Sequence, residues 1–195
     1  MKTVGRHTAV ALCTALALCS CGGNARQGQE NNDYYMVASS ADDSVSAATG
    51  VRIQQTIEAS IDTTYQGKQY HSYVMRRADE SLPQATDENG VRYMDNRITL
   101  RITSGGSKVL ERDFLKSSFA QYLDADFMEH ATLEGLTFDK VVAGGLQYIA
   151  SVGYPESDLY VPFSIVVSAR GDVTIREADL LDSEDADSLN QDQQQ

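Results

Sequence analysis

Cys13, Cys19 and Cys21 are the only cysteines of the chain, and all three lie close to its start. Cysteine placed this way serves redox, metal or lipid chemistry, and the neighbouring residues decide which. In Leu18-Cys19-Ser20-Cys21-Gly22 a large aliphatic residue stands three before Cys21, a small one just before it and a glycine just after. That order looks like a bacterial lipobox at the end of a signal segment. Cys21 is therefore the expected lipidation site, its sulfur carrying fatty acyl (palmitate-type) chains. Cys19 is a poor acceptor, because bulky Leu18 would precede the cut. Each buried methylene adds about 0.8 kcal/mol, and a second chain makes the anchor stable. Once residues 1–20 are removed only Cys21 is left, so no disulfide, thiolate zinc site or thiol nucleophile is expected, although the compartment permits disulfides.

The other chemistry-bearing residues are few. Asp124-Ala125-Asp126-Phe127-Met128-Glu129-His130 gathers three carboxylates and an imidazole, the set from which a metal site or a carboxylate hydrolase is built. On a helix, however, Asp124 and Asp126 point about 200° apart, and Glu129 and His130 are adjacent rather than stacked. The expectation is a solvated helix surface, with Asp124, Asp126, Glu129 and His130 kept as weak metal candidates and no catalytic or cofactor-binding residue assigned. His71, beside Tyr70 and Tyr73 in a strand pattern, reads as a packed or surface residue. No Gly-x-Ser-x-Gly elbow and no phosphate-cradling glycine loop occur. Asp182–Asp187 lacks the mid-loop glycine and closing glutamate of a calcium loop. Arg170-Gly171-Asp172 matches an integrin-binding tripeptide but lies in a turn pattern, where glycine and aspartate are expected for backbone reasons. Tyr65, Tyr70, Tyr73 and Tyr93 could stack on a sugar, but strands ordinarily use tyrosine for core and cross-strand packing.

The elements that must position these residues are mostly strands. Val51, Ile53, Ile57, Ala59, Ile61 and Tyr65 occupy odd positions while the even ones are polar, the period of a half-buried strand, with room for a bend midway. Further strands are predicted at 69–77, 91–94, 97–103, 108–114, 133–142, 146–152, 159–168 and 173–177, separated by Gly, Asn, Asp and Pro turns. Short connections imply antiparallel neighbours. One helix is predicted over about Phe119 to Glu129, with Ser118 and Gln121 as a capping box and Phe119, Tyr122, Leu123 and Phe127 facing the sheet. The fold class is mainly β: an antiparallel β-sandwich or partly closed barrel of about eight strands with one inserted helix.

Domain limits follow composition. Residues 1–20 read as a lipoprotein signal peptide, with Lys2 and Arg6 before a short apolar stretch. Residues 21–50 read as the lipidated cysteine and a flexible tether, about 30 Å long as a coil. Residues 51–178 form the β-rich domain, expected to fold without the first 50 residues, and 179–195 an acidic disordered tail. No segment is long enough for a transmembrane helix. The net charge is −12, and it becomes −14 when the signal leaves with Lys2, Arg6 and no acid. Such a chain repels phosphate backbones, so nucleic acid is not an expected partner, and its field favours basic ones.

Four strings carry a family resemblance: Tyr93-Met94-Asp95-Asn96-Arg97-Ile98-Thr99-Leu100, Phe114-Leu115-Lys116-Ser117-Ser118-Phe119, Leu133-Glu134-Gly135-Leu136-Thr137-Phe138-Asp139 and Tyr160-Val161-Pro162-Phe163. Over roughly Ile53 to Ile175 the chain resembles a family of small lipoproteins of Bacteroidetes-type bacteria, known as a domain of unknown function. The resemblance implies an outer-membrane location and brings no activity or catalytic residue. The sequence thus points to a lipid-anchored, non-catalytic binding or accessory module of the cell envelope. Its partners would be the bilayer through acylated Cys21 and an envelope protein or small ligand, and periplasmic and surface faces stay open. A small-ligand carrier with a cavity inside the β-domain and a hydrolase using Asp124, Asp126 and Glu129 are the alternatives.

Overall fold

The computed structural model describes residues 34–38, 44–45 and 50–178, the first two segments as strand backbone only. Cys21, the signal segment and the acidic segment 179–195 lie outside the described residues, as does the Asp182–Asp187 string. In chain order the strands are β1 (Tyr34–Ala38), β2 (Ser44–Val45), β3 (Arg52–Ile53), β4 (Ile57–Tyr65), β5 (Lys68–Ala78), β6 (Ala85–Thr86), β7 (Arg92–Tyr93), β8 (Asn96–Ser104) and β9 (Ser107–Phe114). A 3-10 helix (Lys116–Tyr122) and α1 (Ala125–His130) follow, then β10 (Thr132–Val142), β11 (Gly145–Gly153), β12 (Tyr160–Val167) and β13 (Val173–Glu177). Among the described residues no helix is long and apolar enough to cross a membrane.

The strands form two large antiparallel sheets, ordered β1-β4-β5-β8-β9 and β10-β11-β12-β13, and a small one, β2-β3-β7-β6. The large sheets share one core, so the fold is a β-sandwich, and neither sheet closes into a barrel. Alternation explains it: Ile98, Leu100 and Ile102 of β8 face Tyr148, Ala150 and Val152 of β11 and Phe163, Ile165 and Val167 of β12, all buried. Side chains fill the space between the sheets; a polar pairing there joins the Ser72 and Tyr148 hydroxyls at 2.6 Å. Burial pushes the Tyr148 phenol far above its ordinary value.

The outward face of the first sheet is polar and laced across strands. Arg101 meets Glu111, its register partner, at 2.9 Å, and Arg97 bridges Asp79 and Asp113. Hydrogen bonds from Ser81 and then Arg97 hold the Asp79 carboxyl well below the usual carboxylate range. The turn from β10 to β11 needs Gly145: its φ is +145°, and a Cβ there would lie 2.0 Å from the Val167 carbonyl oxygen.

Three details depart from the alternation pattern. The stretch from Val51 splits into β3 and β4, and β3 pairs with β7 in parallel, not antiparallel. The split falls at Gln54 and Gln55, whose polar groups bond Glu134 and Arg76 as the chain passes between sheets. The predicted single helix is two short pieces, because Leu123 and Asp124 are extended. The Ser118 hydroxyl accepts from the Leu115 amide rather than capping forward, and Asp124 caps α1 instead, accepting from Phe127 N at 2.7 Å. Finally, β1 lies within 21–50 and runs antiparallel along β4 from Tyr34 opposite Ile61 to Ala38 opposite Ile57.

Candidate functional site

At one end of the sandwich an open groove of about 480 Å³ follows β10. One wall is the inward face of the first sheet, through Ile57 and Ala59 of β4 and Val74 and Arg76 of β5. These share strand parity with the buried Ile61 and Ser72, so the groove forms where that sheet overhangs the second one. The other wall is the outward face of the second sheet, through Ile149 and Ser151 of β11 and Tyr160 and Pro162 of β12. The floor is Glu134-Gly135-Leu136-Thr137 of β10.

A smaller recess of about 250 Å³ continues from it, sharing Glu134, Ser151 and Tyr160 and adding Tyr154, Glu156 and Ser157. Polar groups make up about half of the recess. Glu134 accepts from the Gln54 amide at 2.9 Å and from the Thr132 hydroxyl. Glu156 pairs with Arg52, whose guanidinium lies 5.7 Å from the Tyr93 ring centre. Arg76 reaches the groove floor and donates to the Glu134 carbonyl at 2.5 Å and the Gln55 carbonyl at 3.0 Å.

A buried polar layer stiffens the start of β10 from behind. Asp95 accepts from the Leu133 and Asn96 amides at 2.9 and 2.8 Å, and its other oxygen lies 3.5 Å from Lys116 Nζ. Lys116 donates to the Ala131 carbonyl at 2.6 Å, and Asn96 donates to the Leu133 carbonyl at 3.0 Å. Burial raises the Asp95 carboxyl pKa, with the Leu133 amide and the Lys116 ammonium pulling it back. These bonds fix a β-bulge, a register shift between Leu133 and Gly135, that turns Glu134 toward the recess.

The sequence-predicted site residues fall elsewhere. Asp124, Asp126 and Glu129 are exposed on α1, with Asp124 engaged in capping it. His130 donates through Nδ1 to the Thr86 carbonyl and sets its ring 5.8 Å from Tyr154. Among the described residues no three or more His, Asp or Glu converge to hold a metal. Burial, with Asp126, Asp124 and Glu88 nearby, pushes the Tyr154 phenol up. His71 faces solvent, 2.8 Å from Asp62 across the strand pair. Tyr65 and Tyr70 are core residues on the opposite face of their sheet from Tyr73, and Tyr93 is buried in the small sheet. In the Arg170-Gly171-Asp172 turn the Asp172 carboxylate accepts from Ser168, and Gly171 has a φ of +88° with Val109 O too close for a Cβ.

Sequence reasoning did not single out Glu134, Arg76, Glu156 or Tyr160 as site residues. The available signal was the polar Glu134-Gly135 pair breaking the alternation between Leu133 and Leu136, which marks the bulge.

A family model described as a domain of unknown function (DUF4738) matches residues 38–175. The chain belongs to that family. No curated protein matches it. The match takes in both walls of the groove, its floor and the recess, so the whole candidate site is part of the DUF4738 domain. What the DUF4738 site offers is apolar surface beside two carboxylates and hydroxyl groups. No histidine is among the described residues that line it.

Proposed function

We propose that this DUF4738 protein is a non-catalytic binding module of the cell envelope, anchored in the outer membrane through acylated Cys21, with the groove along β10 as its ligand site. The observation that carries the reading is the groove itself. It has the size of a ligand site and the usual make-up, mostly apolar walls with a few convergent polar groups. Exposure adds support. Among the described residues the exposed large apolar side chains are Val141, Leu159 and Tyr160, and Tyr160 forms the groove rim with Leu159 next to it. Side-chain packing between the sheets favours a ligand held at this surface over one enclosed in the core.

The test is capture of the anchored chain from its own envelope, with mass spectrometry of the proteins and small molecules that accompany it. The comparison is Ala59→Phe, which fills the groove from its apolar wall. A species held by the parent chain and lost from the variant supports the reading; an identical set from both overturns it. In the same cells Cys21→Ser is expected to move the chain from the membrane to the soluble fraction.

A further inference from the structure

We propose that the groove takes the alkyl chain of a free, uncharged amphiphile, of the kind a fatty acyl ester of a small polyol represents, with its polar head in the adjoining recess. This rests on the groove being the ligand site and names the class of molecule that enters it.

The two hollows differ in character, and they meet. Ile57, Ala59, Val74, Leu136, Ile149 and Pro162 line the groove with hydrocarbon, which favours a ligand that removes its own apolar area from water. About half of the recess is polar. Ser151 and Tyr160 line both, so their hydroxyls belong to the stretch where one passes into the other. An amphiphile carries the same two characters, end to end, on one molecule.

An alkyl chain suits the floor better than a peptide backbone does. A peptide brings an amide and a carbonyl with each residue, and each needs a partner once water is displaced. On the floor the Glu134 carbonyl already accepts from Arg76, and Thr137 is engaged as well. The β-bulge between Leu133 and Gly135 also breaks the even ladder that an added strand would follow. Hydrocarbon asks for no such partners.

Charge decides the head. Arg76 and Glu134 line the groove as one cation and one anion, and Arg52 and Glu156 pair at the recess. Each of the first two is also held by the fold. Arg76 donates to the Glu134 and Gln55 carbonyls, and the Glu134 carboxylate accepts from Gln54 and Thr132. The opposite charges balance, so a charged head of either sign would shed its hydration without gaining an unspent counter-charge. A head of hydroxyl and ester groups exchanges water for the site's hydroxyls at little cost.

The experiment uses the full chain carrying Cys21→Ser, which has no acyl group and needs no detergent. The probes are the glycerol monoesters of hexanoic, octanoic and decanoic acid, below their aggregation concentrations, titrated by calorimetry. Affinity is expected to rise about four-fold per added methylene, the fold-change that about 0.8 kcal/mol of burial gives. Decanoate and decylammonium share the longest chain and should bind several-fold more weakly than its glycerol ester. A short uncharged peptide of alternating valine and serine should also bind more weakly. Ser151→Ala should weaken all three esters alike and leave the increment per methylene unchanged, and Ala59→Phe should abolish binding. Tyr160→Ala, at an exposed rim position, tests the groove should Ala59→Phe not fold. If the peptide binds, the esters do not, and a groove variant removes it, the site stands and the amphiphile proposal falls. Affinity that does not rise with chain length, or a charged head held more tightly than glycerol, also overturns the proposal. If no probe binds, or the groove variants change nothing, the site falls with it.

Discussion

Lys116 and Asp95 are both buried where the inserted helical segment meets β10, and each is stable there because of the other. The ammonium also needs the Ala131 carbonyl, and the carboxylate needs the Leu133 and Asn96 amides. Removing the cation alone leaves a charged carboxylate in a dry site. Lys116→Met is therefore expected to cost about 3–5 kcal/mol near neutral pH. The pH dependence has a definite sign. Burial raises the folded-state pKa of Asp95 above the unfolded value of about 3.9, so the folded protein holds this proton more tightly. The carboxyl is best tolerated below that unfolded value, and its contribution declines as pH rises through the folded one. The Lys116→Met penalty should accordingly shrink in acid, where a neutral Asp95 needs no cation. Urea unfolding of both chains across pH measures this, and a penalty that does not vary with pH would show that charge compensation is not what Lys116 supplies. Asp95→Asn keeps an oxygen for the two amides but leaves the buried Lys116 ammonium without its counter-charge, so it too should destabilise the fold.

At the level of elements, β1 supplies the outer strand of the five-stranded sheet and covers β4 over five cross-strand pairs. A chain starting at Asn31 is expected to be more stable than one starting at Gly50, by about 1–3 kcal/mol in net hydrogen bonding. The shorter chain should also self-associate more, because the β4 edge is uncovered. Denaturant midpoints and sedimentation compare the two; equal midpoints would mean that β1 adds no stability. Most other strands could be read directly from period-two alternation, since sheets with one packed face impose it: Ile98, Leu100 and Ile102 are buried while Arg97, Thr99 and Arg101 are not. β1 was not legible, because its polar, small-residue surroundings resemble a linker and its pairing is a property of β4. The helix was legible as an aromatic stripe but not as two pieces. Phe119 is buried 4.6 Å from Phe163, whereas the break at Leu123 and Asp124 rests on backbone conformation that spacing does not encode. The groove was the least legible feature. Its lining comes from five strands, and each contribution looks like ordinary strand sequence until the overhang brings them together.

The molecule as a whole adds a long-range field to these local contacts. Of its acidic residues, Asp179, Asp182, Glu184, Asp185, Asp187 and Asp192 follow Ala178 with no base among them. Ala178 itself is fixed at the second sheet, its amide bonded to the carbonyl of Pro162, a groove residue. The acidic segment therefore starts beside the site, and its charge should act on how fast a basic partner arrives rather than on how firmly it sits. Ending the chain at Ala178 is expected to lower the association rate of a basic peptide that binds the groove several-fold at low ionic strength, where the Debye length is about 30 Å at 0.01 M. The dissociation rate should stay nearly constant, because the residues that line the groove are untouched. In about 1 M salt, with a Debye length near 3 Å, the full and shortened chains should associate at the same rate. Stopped-flow measurements on both chains at the two salt concentrations separate these effects. A change confined to dissociation would place the acidic segment in contact with the bound peptide and remove the division between steering by the whole molecule and seating by the groove.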